Sequence, residues 1–211
     1  MIKIGDLQLG LHPRVVAIID NFFDIQEIVN LKNLGVSILE MRVDCFDAQL
    51  EDVVGYIKKV KDSTSLPAIG TVRETDKNRS IRTEYFREIL PYVDCVDIEL
   101  GTPISDTIIS YCKNQVIMVS EHDFTRTPQE DELQLMVEKA IDQGAQIVKI
   151  ATMANSVADV RRLLNFTEKC ETPIVTIAMG PIVKISRVIA PLYGSLFSYG
   201  FIKGEVAPVQ L

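Results

Sequence analysis

Short apolar runs rich in valine and isoleucine alternate with longer amphipathic stretches along almost the whole chain. The runs at residues 14–20, 37–43, 68–72, 95–100, 116–120, 147–151 and 174–178 predict buried strands. Between them, apolar residues recur at helical spacing, as with Ile25, Ile28, Val29 and Leu31. That spacing predicts helices over 24–33, 50–60, 83–90, 105–112, 129–143 and 157–168. A weaker helical pattern near 185–190 and an eighth strand-like run at 195–199 end the series. Strand–helix alternation means a parallel sheet with crossover helices. Seven or eight such units predict an α/β fold, a (β/α)₈ TIM barrel, as a single domain over residues 1–211. The chain is near the lower limit of about 200 residues for that fold, so its last helix is expected to be truncated. The runner-up is an open doubly wound sheet. No G-x-G-x-x-G follows the first run, which disfavours its dinucleotide-binding form.

Polar residues interrupt the runs with a period of two. In 39–44, Glu40, Arg42 and Asp44 alternate with Leu39, Met41 and Val43, so the charges share one face. Both faces of a parallel sheet are normally covered, and buried charges need partners or a ligand. By the same alternation Arg73 follows Ile69 and Thr71 inward. Asp97 and Glu99 share a face, and His122 follows Val116, Met118 and Ser120. Lys149 lies between Ile147 and Ala151 on one face of its run. In barrel enzymes the chemistry sits at the C-terminal ends of the strands, where these residues fall. A lysine among aliphatic neighbours is costly to bury charged, and a neutral amine attacks carbonyl carbon. A histidine one unit earlier suits proton transfer around the resulting imine. The pair fits aldolases and Schiff-base dehydratases alike. Strand-end arginines suit a carboxylate ligand. His12 precedes the first strand, at the opposite end of the barrel, and has no place in this chemistry.

Composition narrows the classes. The net charge of −7 and the lack of a basic cluster argue against nucleic acid. Cys45, Cys95, Cys112 and Cys170 form no C-x-x-C pair, so they read as reduced thiols of a cytoplasmic protein. The N-terminus lacks a signal-peptide core, and no apolar run reaches the roughly 18 residues of a membrane span. No H-E-x-x-H and no His/Cys/Asp cluster points to a metal, and no cofactor is expected.

Several segments, taken in order, resemble the type I 3-dehydroquinate dehydratases. They are Glu40-Met41-Arg42-Val43-Asp44, Thr71-Val72-Arg73, Asp97-Ile98-Glu99-Leu100, Ser120-Glu121-His122-Asp123-Phe124 and Val148-Lys149-Ile150-Ala151. Met179-Gly180, Lys184-Ile185-Ser186-Arg187 and Ala207-Pro208-Val209-Gln210 complete the match. The resemblance implies a (β/α)₈ barrel that dehydrates 3-dehydroquinate to 3-dehydroshikimate in the shikimate pathway to aromatic amino acids. It implies a Schiff base on Lys149, with His122 as general acid and base. It implies a carboxylate site at Arg187, ring contacts from Glu40, Arg42 and Arg73, a pocket wall at Met179 and a closing loop with Gln210. It also implies a homodimer, acting on a small-molecule substrate without metal or cofactor. The chain departs from the family pattern after Arg73, where Lys77-Asn78-Arg79 replaces E-G-G and its histidine-supporting carboxylate. Val206 and Val209 replace the hydroxyl residue and the glycine near the closing glutamine. Glu99 is therefore the first candidate to orient His122, and Glu121 the second. Two alternatives stay open: another class I aldolase-type lyase on a non-phosphorylated keto acid, and a non-catalytic barrel acting as a binding module.

Overall fold

Each predicted apolar run becomes a strand because its β-branched residues can be covered on both faces. The computed structural model describes residues 2–181 and 184–202. A short antiparallel hairpin, β1 (Lys3–Ile4) and β2 (Leu7–Gln8), comes first. The parallel strands follow: β3 (Val15–Ile19), β4 (Val36–Arg42), β5 (Ala68–Thr71), β6 (Cys95–Glu99), β7 (Val116–Asp123), β8 (Ile147–Met153), β9 (Ile174–Met179) and β10 (Ser198–Phe201). Their order is β10-β3-β4-β5-β6-β7-β8-β9, and each neighbouring pair in that order is parallel. Between β9 and the approach to β10, the Leu196 N–H donates to the Ile174 carbonyl at 2.9 Å, so the barrel is nearly closed. The helices α1 (Ile25–Leu31), α2 (Leu50–Thr64), α3 (Arg82–Ile89), α4 (Ser105–Tyr111), α5 (Glu130–Asp142), α6 (Val157–Lys169) and α7 (Lys184–Ile189) lie outside. The (β/α)₈ reading holds, and the open doubly wound sheet does not. No helix among the described residues is long and apolar enough to cross a membrane.

Strand alternation divides the core in two. Leu39, Met41, Val96, Ile98, Val119, Val148 and Ile150 pack outward against the helices. Ile38, Ile69, Cys95, Met118, Ile147, Ala151 and Val175 fill the barrel. The N-terminal hairpin escaped the sequence pattern because two-residue strands carry no measurable period. It turns at Gly5, whose φ of 56° suits glycine, and it seats Ile4 and Leu9 in the inner core as the floor of the barrel.

Several element ends move relative to expectation: the eighth strand is Ser198–Phe201 rather than 195–199, α2 runs on to Thr64 and β8 to Met153, and two further shifts bear on the site. The strand at 37–43 ends at Arg42, and Val43–Cys45 form a 3₁₀ turn. The strand at 116–120 runs on to Asp123, which carries His122 within the sheet register opposite Ala151. The barrel interior is thus apolar at its floor and charged at the C-terminal strand ends.

Candidate active site

Lys149 reaches the cavity from the middle of β8. Its residue is only 4% exposed, yet its neighbours are not apolar. Nζ donates to Asp97 Oδ2 at 2.9 Å and lies 3.5 Å from Glu40 Oε1. The ammonium also sits 4.5 Å from the centre of the Tyr199 ring, a cation–π position. The expectation of wholly aliphatic surroundings is therefore corrected. Ile147 and Ala151 pack below and above it along the strand, but β4, β6 and β10 bring carboxylates and a ring to its tip. Glu40 is in turn fixed by the Thr71 hydroxyl, which donates to Oε1 at 2.7 Å.

Asp97 is the hub. It is fully buried, and its Oδ2 accepts from Arg73 Nη2 at 2.7 Å as well as from Lys149. Burial alone would push its carboxyl up. The Arg73 and Lys149 cations overcome that and hold it well below the usual carboxylate range. Arg73 is subject to the opposite balance: burial works against its charge, and Asp97, Glu99 and Glu40 more than offset it. The segment that departs from the family pattern does not reach His122. Lys77 pairs with Asp47 at 3.1 Å on the surface. Asn78 is buried, and its Nδ2 donates to the Arg73 carbonyl at 2.9 Å, so this loop clamps the arginine from behind.

His122 lines the same cavity, with its ring stacked on Phe124 at 5.9 Å between centroids. Burial depresses its pKa to about 3, helped by the Arg73 and Lys149 charges and resisted by Asp97. Glu99, expected to orient this ring, is engaged by Arg82 and Arg73 instead. Glu121 alternates to the outer side, where Lys139 of α5 acts on it. The carboxylate that the imidazole feels is Asp97. A stability effect follows. The unfolded chain protonates His122 below about pH 6.5, whereas the folded protein resists until about 3. The stability associated with His122 is thus complete above pH 6.5 and is lost as pH falls toward 3, by about 1.4 kcal/mol per pH unit. Denaturant titrations at pH 7, 6 and 5 are expected to show a steeper loss in the parent than in His122→Gln. Equal slopes would show that the imidazole titrates as it does in the unfolded chain.

The remaining predicted residues divide. Glu40, Arg42, Arg73 and Arg187 line the cavity together with Ile18, Ile177 and Tyr199. Arg42 keeps a two-point pair with Asp44 in the 3₁₀ turn, Nη2–Oδ2 2.8 Å and Nε–Oδ1 3.1 Å. Asp44 therefore neutralises Arg42 rather than continuing the strand face. Met179 ends β9 buried in the inner core, outside the cavity lining. Gln210, Val206 and Val209 lie outside the described residues. Sequence reasoning gave Asp97, Thr71 and Tyr199 no role. The D-x-E alternation in β6 was the available signal for Asp97. Tyr199 gave none, since nothing local says that β10 closes beside β3. The Tyr199 hydroxyl and Arg73 Nη1 are buried and carry no hydrogen bond among the described residues. The site combines a buried amine, a neutral imidazole and polar donors facing one space, which suits covalent capture of a ketone with proton transfer.

Comparison with known proteins agrees with this chemistry. The family model for type I 3-dehydroquinase matches residues 16–211. The chain is 34% identical to the 3-dehydroquinate dehydratase of Methanocella arvoryzae over 207 residues, covering 94% of this chain and 91% of that protein. It is 35% identical to the Hydrogenobaculum enzyme of the same name over 206 residues, covering 93% and 91%. Among solved structures, the type I 3-dehydroquinate dehydratase of Clostridium difficile superposes with a TM-score of 0.87 at 27% identity, covering 100% of this chain and 92% of that one. The Aquifex aeolicus enzyme gives 0.80 at 30% identity, with 94% and 93% covered.

Proposed function

The chain belongs to the type I 3-dehydroquinase family and is a 3-dehydroquinate dehydratase of the shikimate pathway, and from that premise we propose how its residues divide the work. The Lys149 amine attacks the C3 ketone, and loss of water from the carbinolamine leaves an iminium. The ammonium proton has two acceptors within reach, Glu40 and Asp97. The iminium withdraws electrons, and His122 takes a C2 proton to leave a neutral enamine. The enamine expels the C1 hydroxyl, His122 returns its proton to that oxygen, and water leaves. Hydrolysis of the new imine frees the enone and restores the amine. One water is lost overall.

Electrostatics favours this sequence. Burial, with the cations near it, keeps His122 neutral, hence able to accept a proton. When the C2 proton moves, the iminium charge disappears, so a depressing charge is removed just as the imidazole becomes charged. When the hydroxyl leaves, the iminium returns and drives the proton off again. The observation that carries the reading is Lys149 buried within β8 with a neutral histidine lining the same cavity. The Clostridium difficile structure, described with covalently modified comenic acid, is consistent with covalent chemistry in this family.

Arg187 holds the substrate carboxylate, and Glu40, Arg42 and Arg73 hold the ring. Met179 supports the pocket from the end of β9, and Gln210 belongs to the closing loop. Arg187→Ala is expected to raise KM by about 100-fold, and Arg187→Lys to recover little, because the two-point fork is lost. Near-normal KM in both variants would remove Arg187 from this role. The resemblance supports a single-domain, cytoplasmic homodimer, which sedimentation would check. The activity is tested by following conversion of 3-dehydroquinate to its conjugated enone in ultraviolet absorbance, without added metal or nucleotide. No enone at high enzyme concentration would favour a keto-acid lyase or a binding module.

A further inference from the structure

Arg82 is almost completely buried at 1% exposure, and no step above uses it. It begins α3, outside the barrel, and its side chain runs inward between the ends of β5 and β6. Nε donates to the Val72 carbonyl at 2.6 Å, immediately before Arg73. Nη2 pairs with Glu99, and Nη1 lies 3.4 Å from the Thr102 hydroxyl. Phe86, one helical turn on, covers the guanidinium at 5.8 Å. Glu99 Oε2 in turn lies 3.4 Å from Arg73 Nη1. One guanidinium therefore fixes both the backbone that launches Arg73 and the carboxylate beside its outer nitrogen. Burying an arginine is expensive, and a structural tie between two strands needs only apolar contact.

We propose that Arg82, acting with Glu99, is a positioning residue that sets Arg73 toward the substrate. The proposal rests on the reading above, in which Arg73 holds the substrate ring. The planar fork is what the role requires. A lysine gathers its three donors on one nitrogen and cannot span the Val72 carbonyl, the Thr102 hydroxyl and Glu99 as the guanidinium does from three nitrogens. Arg73 would keep Asp97 at Nη2, but Nη1 would lose the carboxylate that Arg82 fixes beside it. Small misplacements of a substrate-holding group cost rate steeply.

The test is a double-mutant cycle on kcat/KM with Arg82→Lys, Arg73→Ala and the pair. Arg82→Lys is expected to lose about tenfold, chiefly through KM. In the Arg73→Ala background the same change is expected to cost less than about twofold, because the group it positions is gone. A merely structural arginine would cost the same in both backgrounds, and that result overturns the proposal. So does an Arg82→Lys enzyme with parental KM. If Arg82→Lys does not fold, Glu99→Gln, at the partly exposed end of the pair, is run through the same cycle and judged the same way. Should Arg73→Ala alone leave kcat/KM unchanged, the inference falls with it. The Schiff-base reading is judged separately, by borohydride trapping of Lys149 in the parent.

Discussion

Replacing Lys149 by methionine is expected to lower kcat/KM by about 10⁴-fold or more and to abolish the adduct trapped by borohydride with 3-dehydroquinate. The geometry makes the loss severe for two reasons. The nucleophile disappears, and Asp97 and Glu40 lose the ammonium that lies 2.9 and 3.5 Å from them. Breaking a buried ion pair commonly costs about 3–5 kcal/mol. Here Arg73 still neutralises Asp97, so the lower part of that range is expected. Lys149→Arg separates the two effects, because it keeps a cation that cannot form an imine. Both variants are checked by circular dichroism and thermal melting before assay. In the parent, peptide mapping is expected to place the added mass on the peptide containing Lys149. Mass on Lys113 or Lys184 instead, or an adduct that survives in Lys149→Arg, would end the assignment.

His122→Ala is expected to stop turnover by about 10²–10⁴-fold, the usual span for a general acid–base group, while the imine at Lys149 still forms. Imine formation depends on the amine and its carboxylate neighbours; movement of the C2 proton and the hydroxyl depends on the imidazole. The trapped adduct therefore persists, formed more slowly because carbinolamine breakdown also moves protons. The parent pH profile carries the second half of the prediction. Because burial and the Arg73 and Lys149 charges depress His122 to about 3, the acid limb of kcat/KM is expected well below pH 6.5. Asp97→Asn removes the carboxylate that resists this depression, so it moves the limb no higher. A parental limb at pH 6.5, or full turnover in His122→Ala, would contradict the assignment.

Most of this site was readable from local pattern. Strand alternation set Lys149, His122, Glu40 and Arg73 inward, and the inner core confirms the side each strand presents, through Ile38, Ile69, Met118 and Ile147. Pattern failed where a contact depends on a distant strand. Glu99 faces inward as alternation requires, yet it meets Arg82, a helix residue whose inward reach no helical period announces. Asp44 was placed on the strand face, but the chain turns at Val43 and brings it back to Arg42.

By itself the sequence determined which side of each strand is polar, because the two-residue period is a property of extended backbone and of nothing further away. It likewise determined the alternation of strands and helices, and through the ordered motifs the family. Only the tertiary structure decided which charges neutralise which. Closing eight strands brings β4, β6, β8 and β10 around one axis, and ion pairs form between residues as far apart as Glu40 and Lys149. Charge pairing falls off over a few ångströms, so it is fixed by that convergence rather than by any spacing along the chain.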